Sequence, residues 1–350
     1  VNQVNSEGFS TNIATLEKQS VQTRYPDALW FSNAIYLTDQ IQLNEKLSLE
    51  AGIRLSQFAM RAEFDQRFIQ LPFEEINLNK LALNGSLGML YRPTDSWVLS
   101  ANLSTGFRAP NVDDMGKLFD SENFSVVVPN NNLTAEYAYN AELAISKTFG
   151  SIWEFDITGF YTFLNNALVR RNTTLNGSDS LFFDGGLKRI QSIQNAAFAE
   201  VYGIQTGVEV RITKRLKFEN KLNFQKGTEE LDNGSSSPSR HVAPLFTLSS
   251  LIYKKDRLQL QASFLYNHQI EYDNLNVGEQ GKSYLYASDE NGNPYSPSWY
   301  TFNVNSRYDL TEFITLTFGI ENITDQLYRP YSSGINGAGR NFTGSILANF

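Results

Sequence analysis

Apolar residues recur at every second position through almost the whole chain, and that period restricts the backbone more than any other feature. Near the end, Phe302, Val304, Tyr308 and Leu310 alternate with Thr301, Asn303, Asn305, Arg307 and Asp309. Ile314, Leu316, Phe318 and Ile320 then oppose Thr315, Thr317, Gly319 and Glu321, and Phe342, Gly344, Ile346, Ala348 and Phe350 repeat the pattern. A period of two belongs to a strand with one apolar and one polar face. The same rhythm runs through 28–38, 47–56, 81–91, 97–105, 139–149, 153–163, 204–212, 216–224 and 258–266, with Phe246, Leu248 and Ile252 as the apolar set of one further strand. The count is about thirteen strands, with 64–77 read as a connecting loop.

Half-buried strands of a soluble sandwich alternate too, so the connections must decide. They are short and long in strict turn: DQIQLNEK, RPTDS, TFGS, TKR, YKKDR and DLTEF close one rim, and the loops carrying Asp113, Asp179, Asp232, Asp289 and Gly337 fall on the other. Membrane barrels have this asymmetry, with an apolar face toward lipid and a polar lumen. No run of eighteen apolar residues exists, which excludes spanning helices and leaves spanning strands open. The 25 Phe and 17 Tyr are enough to build interfacial girdles. Cys is absent, so disulfides and thiolate metal sites are excluded, and a net charge of −8 argues against a nucleic-acid partner.

The expected fold is therefore all-β, an antiparallel transmembrane β-barrel, with 1–350 as a single domain and 1–24 as the remnant of an extracellular loop. Leu316, Phe318, Ile346 and Phe350 are expected to face lipid, and Thr317, Glu321 and Ser345 the lumen. An odd number of antiparallel strands would close on a parallel seam, whereas single-chain barrels close with an even number. The expectation is a partial barrel whose first and last strands do not pair.

Three segments carry a family resemblance. Leu103-Ser-Thr-Gly-Phe-Arg-Ala-Pro-Asn-Val-Asp-Asp-Met115 resembles the "GFRAP" segment of TonB-dependent outer-membrane receptors. Gly319-Ile-Glu-Asn-Ile-Thr-Asp-Gln-Leu-Tyr328, with Gly339-Arg-Asn-Phe342 and the terminal Phe350, is similar to that family's closing signature. Asn195-Ala-Ala-Phe-Ala-Glu-Val-Tyr-Gly-Ile204 resembles another of its segments. The resemblance implies a C-terminal portion of a barrel of about 22 strands, with the plug domain outside this chain. It further implies TonB-energised uptake across the cell outer membrane, TonB being contacted by an N-terminal region outside the chain, and a terminal Phe350 that serves as an assembly signal.

For cargo, the resemblance implies an iron complex, haem or ferric siderophore, carried as substrate with no resident cofactor. Cobalamin, glycan or peptide cargo is the alternative, and a barrel-embedded hydrolase or a soluble β adhesion module is a remote one. Catalysis would need clustered Ser, His and acidic groups, and the chain has two histidines. Phe107-Arg108-Ala109-Pro110 followed by Asn130-Asn131-Asn132-Leu133 is similar to the paired boxes of haem receptors, with Asn131 where that box has proline. Phe107, Arg108, Asn130, Asn132 and His241 are thus the candidate ligand-binding residues, Arg108 for its bidentate donor head and His241 for its imidazole. No metal site is expected in the wall itself.

Overall fold

In the computed structural model, residues 1–121, 125–183, 185–231 and 233–349 are described. Asp232 and Phe350 lie outside them, and with Phe350 its expected lipid-facing placement. Thirteen strands of eight or more residues follow one another as an antiparallel meander. They are β1 (Asp27–Asn44), β2 (Leu47–Glu63), β3 (Glu75–Tyr91), β4 (Trp97–Arg108), β5 (Glu136–Phe149), β6 (Trp153–Asn172) and β7 (Gly186–Arg211). Then come β8 (Leu216–Glu230), β9 (Phe246–Lys255), β10 (Leu258–Asn267), β11 (Trp299–Asp309), β12 (Ile314–Glu321) and β13 (Asn341–Ala348). Each pairs with its sequence neighbour, so the whole wall is built from local hairpins.

The outermost strands, β1 and β13, are neighbours in the strand order, yet no residue register joins them among the described residues. β1 is in register with β2 and the short strand Asn2–Val4, and β13 with β12. Side chains of β13 and of most of β1 are exposed on both faces.

Cross-strand register assigns the faces. Leu316 opposes Ile346 and Phe318 opposes Gly344 on the apolar face; Thr317 opposes Ser345 and Glu321 opposes Asn341 on the polar one. One reading does not survive. In β9, Phe246, Leu248 and Ile252 oppose Asn223, Lys221 and Lys217, so they share the polar face, and Leu251 and Tyr253 join Phe218 and Leu216 on the apolar one. Both faces of β9 are mixed, and only the partner strand decides its phase. The apolar face here also carries Asn220, which donates to Thr247 Oγ1 (2.9 Å) and Ser249 Oγ (2.8 Å), meeting its polar demand within the sheet.

Aromatic rows mark both ends of the apolar face. Tyr161 opposes Tyr202 and Tyr266 opposes Tyr300 toward the long loops, while Phe149 opposes Trp153 and Lys147 lies over the Trp97 ring near the short turns.

Toward the long loops β2 and β3 invert their pattern. Below, Ile53 and Leu55 face Gly85 and Leu83 on the apolar face; above, that same face carries Gln57, Arg61, Asn77 and Asn79. Apolar side chains move to the other face, where Phe58, Met60, Ile76 and Leu78 are buried. Asn33 donates to Gln57 and Gln57 to Asn79, forming an amide ladder at the crossover. The strands thus run on to Glu63 and start at Glu75, further than expected, because alternation continues out of phase.

Candidate functional site

The inverted faces are covered by the connection 109–135, which folds back onto the polar side of the wall. Met115, Leu133 and Ala135 from this connection join Phe58, Met60, Ile76 and Leu78 in one buried cluster. Each of the larger side chains, Phe58, Met60, Ile76, Leu78, Met115 and Leu133, contributes at most roughly 1.5–3 kcal/mol. A second cluster of Leu118, Val126, Val128, Leu175 and Ile190 forms where the strand Ser125–Val127 pairs in parallel with the upper part of β7.

The candidates at the start of this connection hold it in place. Arg108 ends β4 and donates through Nη2 to both carboxylate oxygens of Asp114 (2.6 and 2.8 Å) and through Nη1 to Oε1 of Glu136. Asp114 and Glu136 are buried, and a buried carboxylate requires such a donor fork. Asn111 and Asp114 close a capping box around the one-turn helix α1 (Val112–Met115), each accepting the other's backbone N–H.

Phe107 sits where β3 and β4 part. Their ladder ends at Ser86 and Ser104. Beyond it the Thr105 hydroxyl receives Gly85 N–H (2.8 Å), Asn84 Nδ2 donates to Thr105 O (3.2 Å), and Leu83 N–H donates to Tyr137 Oη (3.3 Å). Phe107 and Tyr137 are part of an aromatic chain, Trp30–Phe58–Phe107–Tyr137–Tyr139, with centroid spacings of 6.0, 5.9, 6.3 and 6.4 Å.

Asn130 closes the connection: its Nδ2 donates to Ile193 O (2.7 Å), its N–H to Met115 O (3.0 Å), and its Oδ1 receives Asn132 N–H (3.0 Å). Asn195 pins the next residues, bonding both the N–H (2.7 Å) and the C=O (3.0 Å) of Thr134. Asn132 is exposed. His241 is exposed in a different connection, with a left-handed φ of 66°. Among the described residues no hydrogen bond or ring contact joins it to Phe107, Arg108, Asn130 or Asn132, so the five candidates do not form one constellation.

Next to His241 lies a polar cluster that sequence reasoning missed. Glu279 is fully buried in the short helix α2 (Val277–Gln280), and it accepts from Tyr286 Oη (2.6 Å), Arg240 Nε (2.6 Å) and Lys282 Nζ (3.1 Å). Burial alone would push its carboxyl upward. The bonds from Tyr286 and Lys282 and the charges of Arg240 and Lys282 outweigh that and hold it below the usual carboxylate range. Burial and the Glu279 carboxylate together push the Tyr286 phenol well above its ordinary value. Asn276 caps α2 and donates to Glu229 Oε1 (2.7 Å) and Pro238 O (2.7 Å), tying its own connection to the end of β8 and to the connection that follows it. An Asn three residues ahead of a Glu was the available signal.

The closing signature is a hydrogen-bonded knot. Asn322, buried with φ 47°, donates to Gln326 O (2.9 Å) and Ala338 O (3.0 Å) and accepts Gln326 N–H (3.0 Å). Asp325 accepts Arg340 N–H (2.7 Å), and Arg340 Nε donates to Ile323 O (2.9 Å). Among the described residues no group of three or more acidic or histidine side chains could hold a metal ion.

Comparison with known proteins agrees with this architecture. A family model described as "TonB dependent receptor-like, beta-barrel" matches residues 4–323. The hemoglobin-haptoglobin utilization protein B of Neisseria meningitidis serogroup A is 24% identical over 338 residues, covering 89% of this chain and 40% of that protein. Among solved structures, the copper transporter OprC superposes with a TM-score of 0.74 at 15% identity, covering 98% of this chain and 51% of the other. The siderophore receptor PiuA from Acinetobacter baumannii gives 0.65 at 16% identity, covering 95% and 44%. At these identities the structures speak for the fold alone. The chain spans about two fifths of the length of the curated relatives it matches.

Proposed function

Because the chain belongs to the TonB-dependent receptor-like β-barrel family, we propose that it is part of an outer-membrane receptor that takes up an iron complex, haem or a ferric siderophore, in a TonB-energised cycle. The apolar face then meets lipid and the polar face lines the passage. The observation carrying the cargo reading is the relative named for hemoglobin-haptoglobin utilization, matched over 89% of this chain. The two-box resemblance at Phe107–Pro110 and Asn130–Leu133 agrees with it.

Within this reading the candidates divide by exposure and engagement. Arg108 and Asn130 are bonded within the wall and the connection, and Phe107 is stacked in the seam. Contact with cargo therefore falls to exposed groups such as Asn132 and His241, and the other three hold the surface that presents them. The role is uptake without catalysis.

Growth of a receptor-deletion strain, complemented with the whole receptor, on haem or on ferric siderophores as sole iron source tests the reading. Restored growth on either iron complex is the expected result. Restored growth on neither, with the receptor present in the outer membrane, would overturn it.

A further inference from the structure

Two adjoining short turns concentrate positive charge at one point of the rim. The β7–β8 turn carries Lys214 and Arg215, and β9 ends on Lys254 and Lys255 ahead of the turn Asp256-Arg257. All five cations are exposed. β8 and β9 are in register as far as Leu216 and Tyr253, and one step further Lys254 N–H donates to Arg215 O (2.8 Å). That step sets Arg215 against Lys254 and brings Lys214 toward Lys255, and like charges so placed repel. The β1–β2 turn instead balances Lys46 with Glu45, the β3–β4 turn balances Arg92 with Asp95, and the whole chain carries −8, so the positive excess is local.

The cations divide between the two faces. On β9 the apolar face carries Leu251, Tyr253 and Lys255 in succession, since Tyr253 opposes Leu216 and Lys255 opposes Leu258. Aliphatic, then aromatic, then cationic is the order expected where a strand leaves hydrocarbon for headgroups. Phe218 and Leu216 on β8 lead in the same alternation to Lys214 at the turn tip. Lys254 is on the polar face, where its charge acts on Asp309, and Arg257 donates to Leu310 O (3.0 Å). Among the described residues the side chains of Lys214 and Lys255 form no hydrogen bond or ion pair. Leu251 and Leu260 stand exposed above them on the apolar face.

We propose that Lys214 and Lys255 hold the phosphate of an anionic phospholipid from the leaflet on the short-turn side, with its acyl chains lying over Leu251 and Leu260. One phosphodiester accepts charge-assisted hydrogen bonds from both ammonium groups and offsets their repulsion. Continuity of Leu251 and Tyr253 with the apolar face selects a lipid over a soluble phosphate. The inference rests on the outer-membrane reading above but not on the cargo.

The test uses the whole receptor, purified in detergent, stripped of lipid and examined by native mass spectrometry. The probes are phosphatidylglycerol, the zwitterionic phosphatidylcholine and soluble glycerol phosphate. Phosphatidylglycerol is expected to be retained over phosphatidylcholine, with retention falling about tenfold when Lys214→Gln and Lys255→Gln are combined. It should recover when both are replaced by Arg, and stay unchanged in Lys46→Gln, the same loss of charge at the β1–β2 turn. Outer-membrane fractionation of each variant checks assembly; absence of the wild type from that fraction would sink the location reading instead. Undiminished retention in the double Gln variant, equal retention of phosphatidylcholine, or an equal fall in Lys46→Gln overturns the site. Displacement by millimolar glycerol phosphate overturns its lipid assignment.

Discussion

Gly337 lies so close to the ring of Tyr328 that a Cβ at 337 would stand 2.1 Å from Cζ, and its N–H donates to Tyr328 O at 2.8 Å. Trp299 packs against the same ring, at a centroid distance of 4.3 Å. Any side chain at 337 must therefore displace the Tyr328 ring and disturb its packing with Trp299. Gly337→Ala is expected to destabilise this connection by about 1–3 kcal/mol, the usual cost of overpacking. Thermal inactivation of the detergent-solubilised receptor measures it, and combining Gly337→Ala with Tyr328→Leu should recover part of the loss. Additive losses in the double variant would show that the ring is not the obstacle.

Removing the Arg108 guanidinium leaves two buried carboxylates facing each other without a cation. Arg108→Ala should cost about 2–3 kcal/mol, less than for a fully buried pair because Arg108 itself is half exposed. The expected readout is faster proteolytic cleavage within 109–135, with partial protection restored by adding Asp114→Asn. An unchanged cleavage rate in Arg108→Ala would mean that the ion pairs do not anchor the connection.

The Glu279 cluster gives a signed pH dependence. A carboxyl whose folded pKa is lowered adds stability that is complete above its unfolded value and is lost as pH falls through the folded value. Tyr286, whose pKa is raised, adds stability below its unfolded value that is lost as pH rises beyond it. Hydrogen-exchange protection of 276–282 should therefore hold from about pH 5 to pH 9 and fall below about pH 4. Glu279→Gln should reduce protection throughout and flatten the acid limb; an acid limb of wild-type size in that variant would assign it elsewhere.

Single cysteine substitutions map the faces, since residues 1–350 contain no cysteine of their own. Leu55→Cys, Leu83→Cys and Ile346→Cys should resist a membrane-impermeant maleimide, whereas Ala59→Cys, Asn79→Cys and Ser345→Cys should react. Labelling of Leu55→Cys at the rate of Asn79→Cys would remove the crossover from its assigned level.

How far the sequence could be read depends on what fixes each element. The two-residue period and the alternation of short and long connections were sufficient for the meander, since neighbours pair locally and each face is uniform over many residues. The ends of β2 and β3 were read short because Gln57 and Asn79 interrupt the apolar face, while Phe58 and Leu78 continue the strand in the opposite phase. In β9 the two faces are similar in polarity, so register with Lys221 and Lys217 was needed. The arginine in the Phe107–Pro110 box drew attention as an anion binder, and its partners Asp114 and Glu136 lie 6 and 28 residues away, beyond the reach of local pattern. Glu279 is reached by Arg240 from a different connection, which no periodicity reports.

The crossover in β2 and β3 has a consequence for how such receptors can diverge. Connection 109–135 is seated on Phe58, Met60, Ile76 and Leu78, so the upper wall and the connection form one inherited unit. A chimera that exchanges 109–135 alone would set a foreign lid on residues shaped for another. Grafts that also carry 56–80 should mature at native levels.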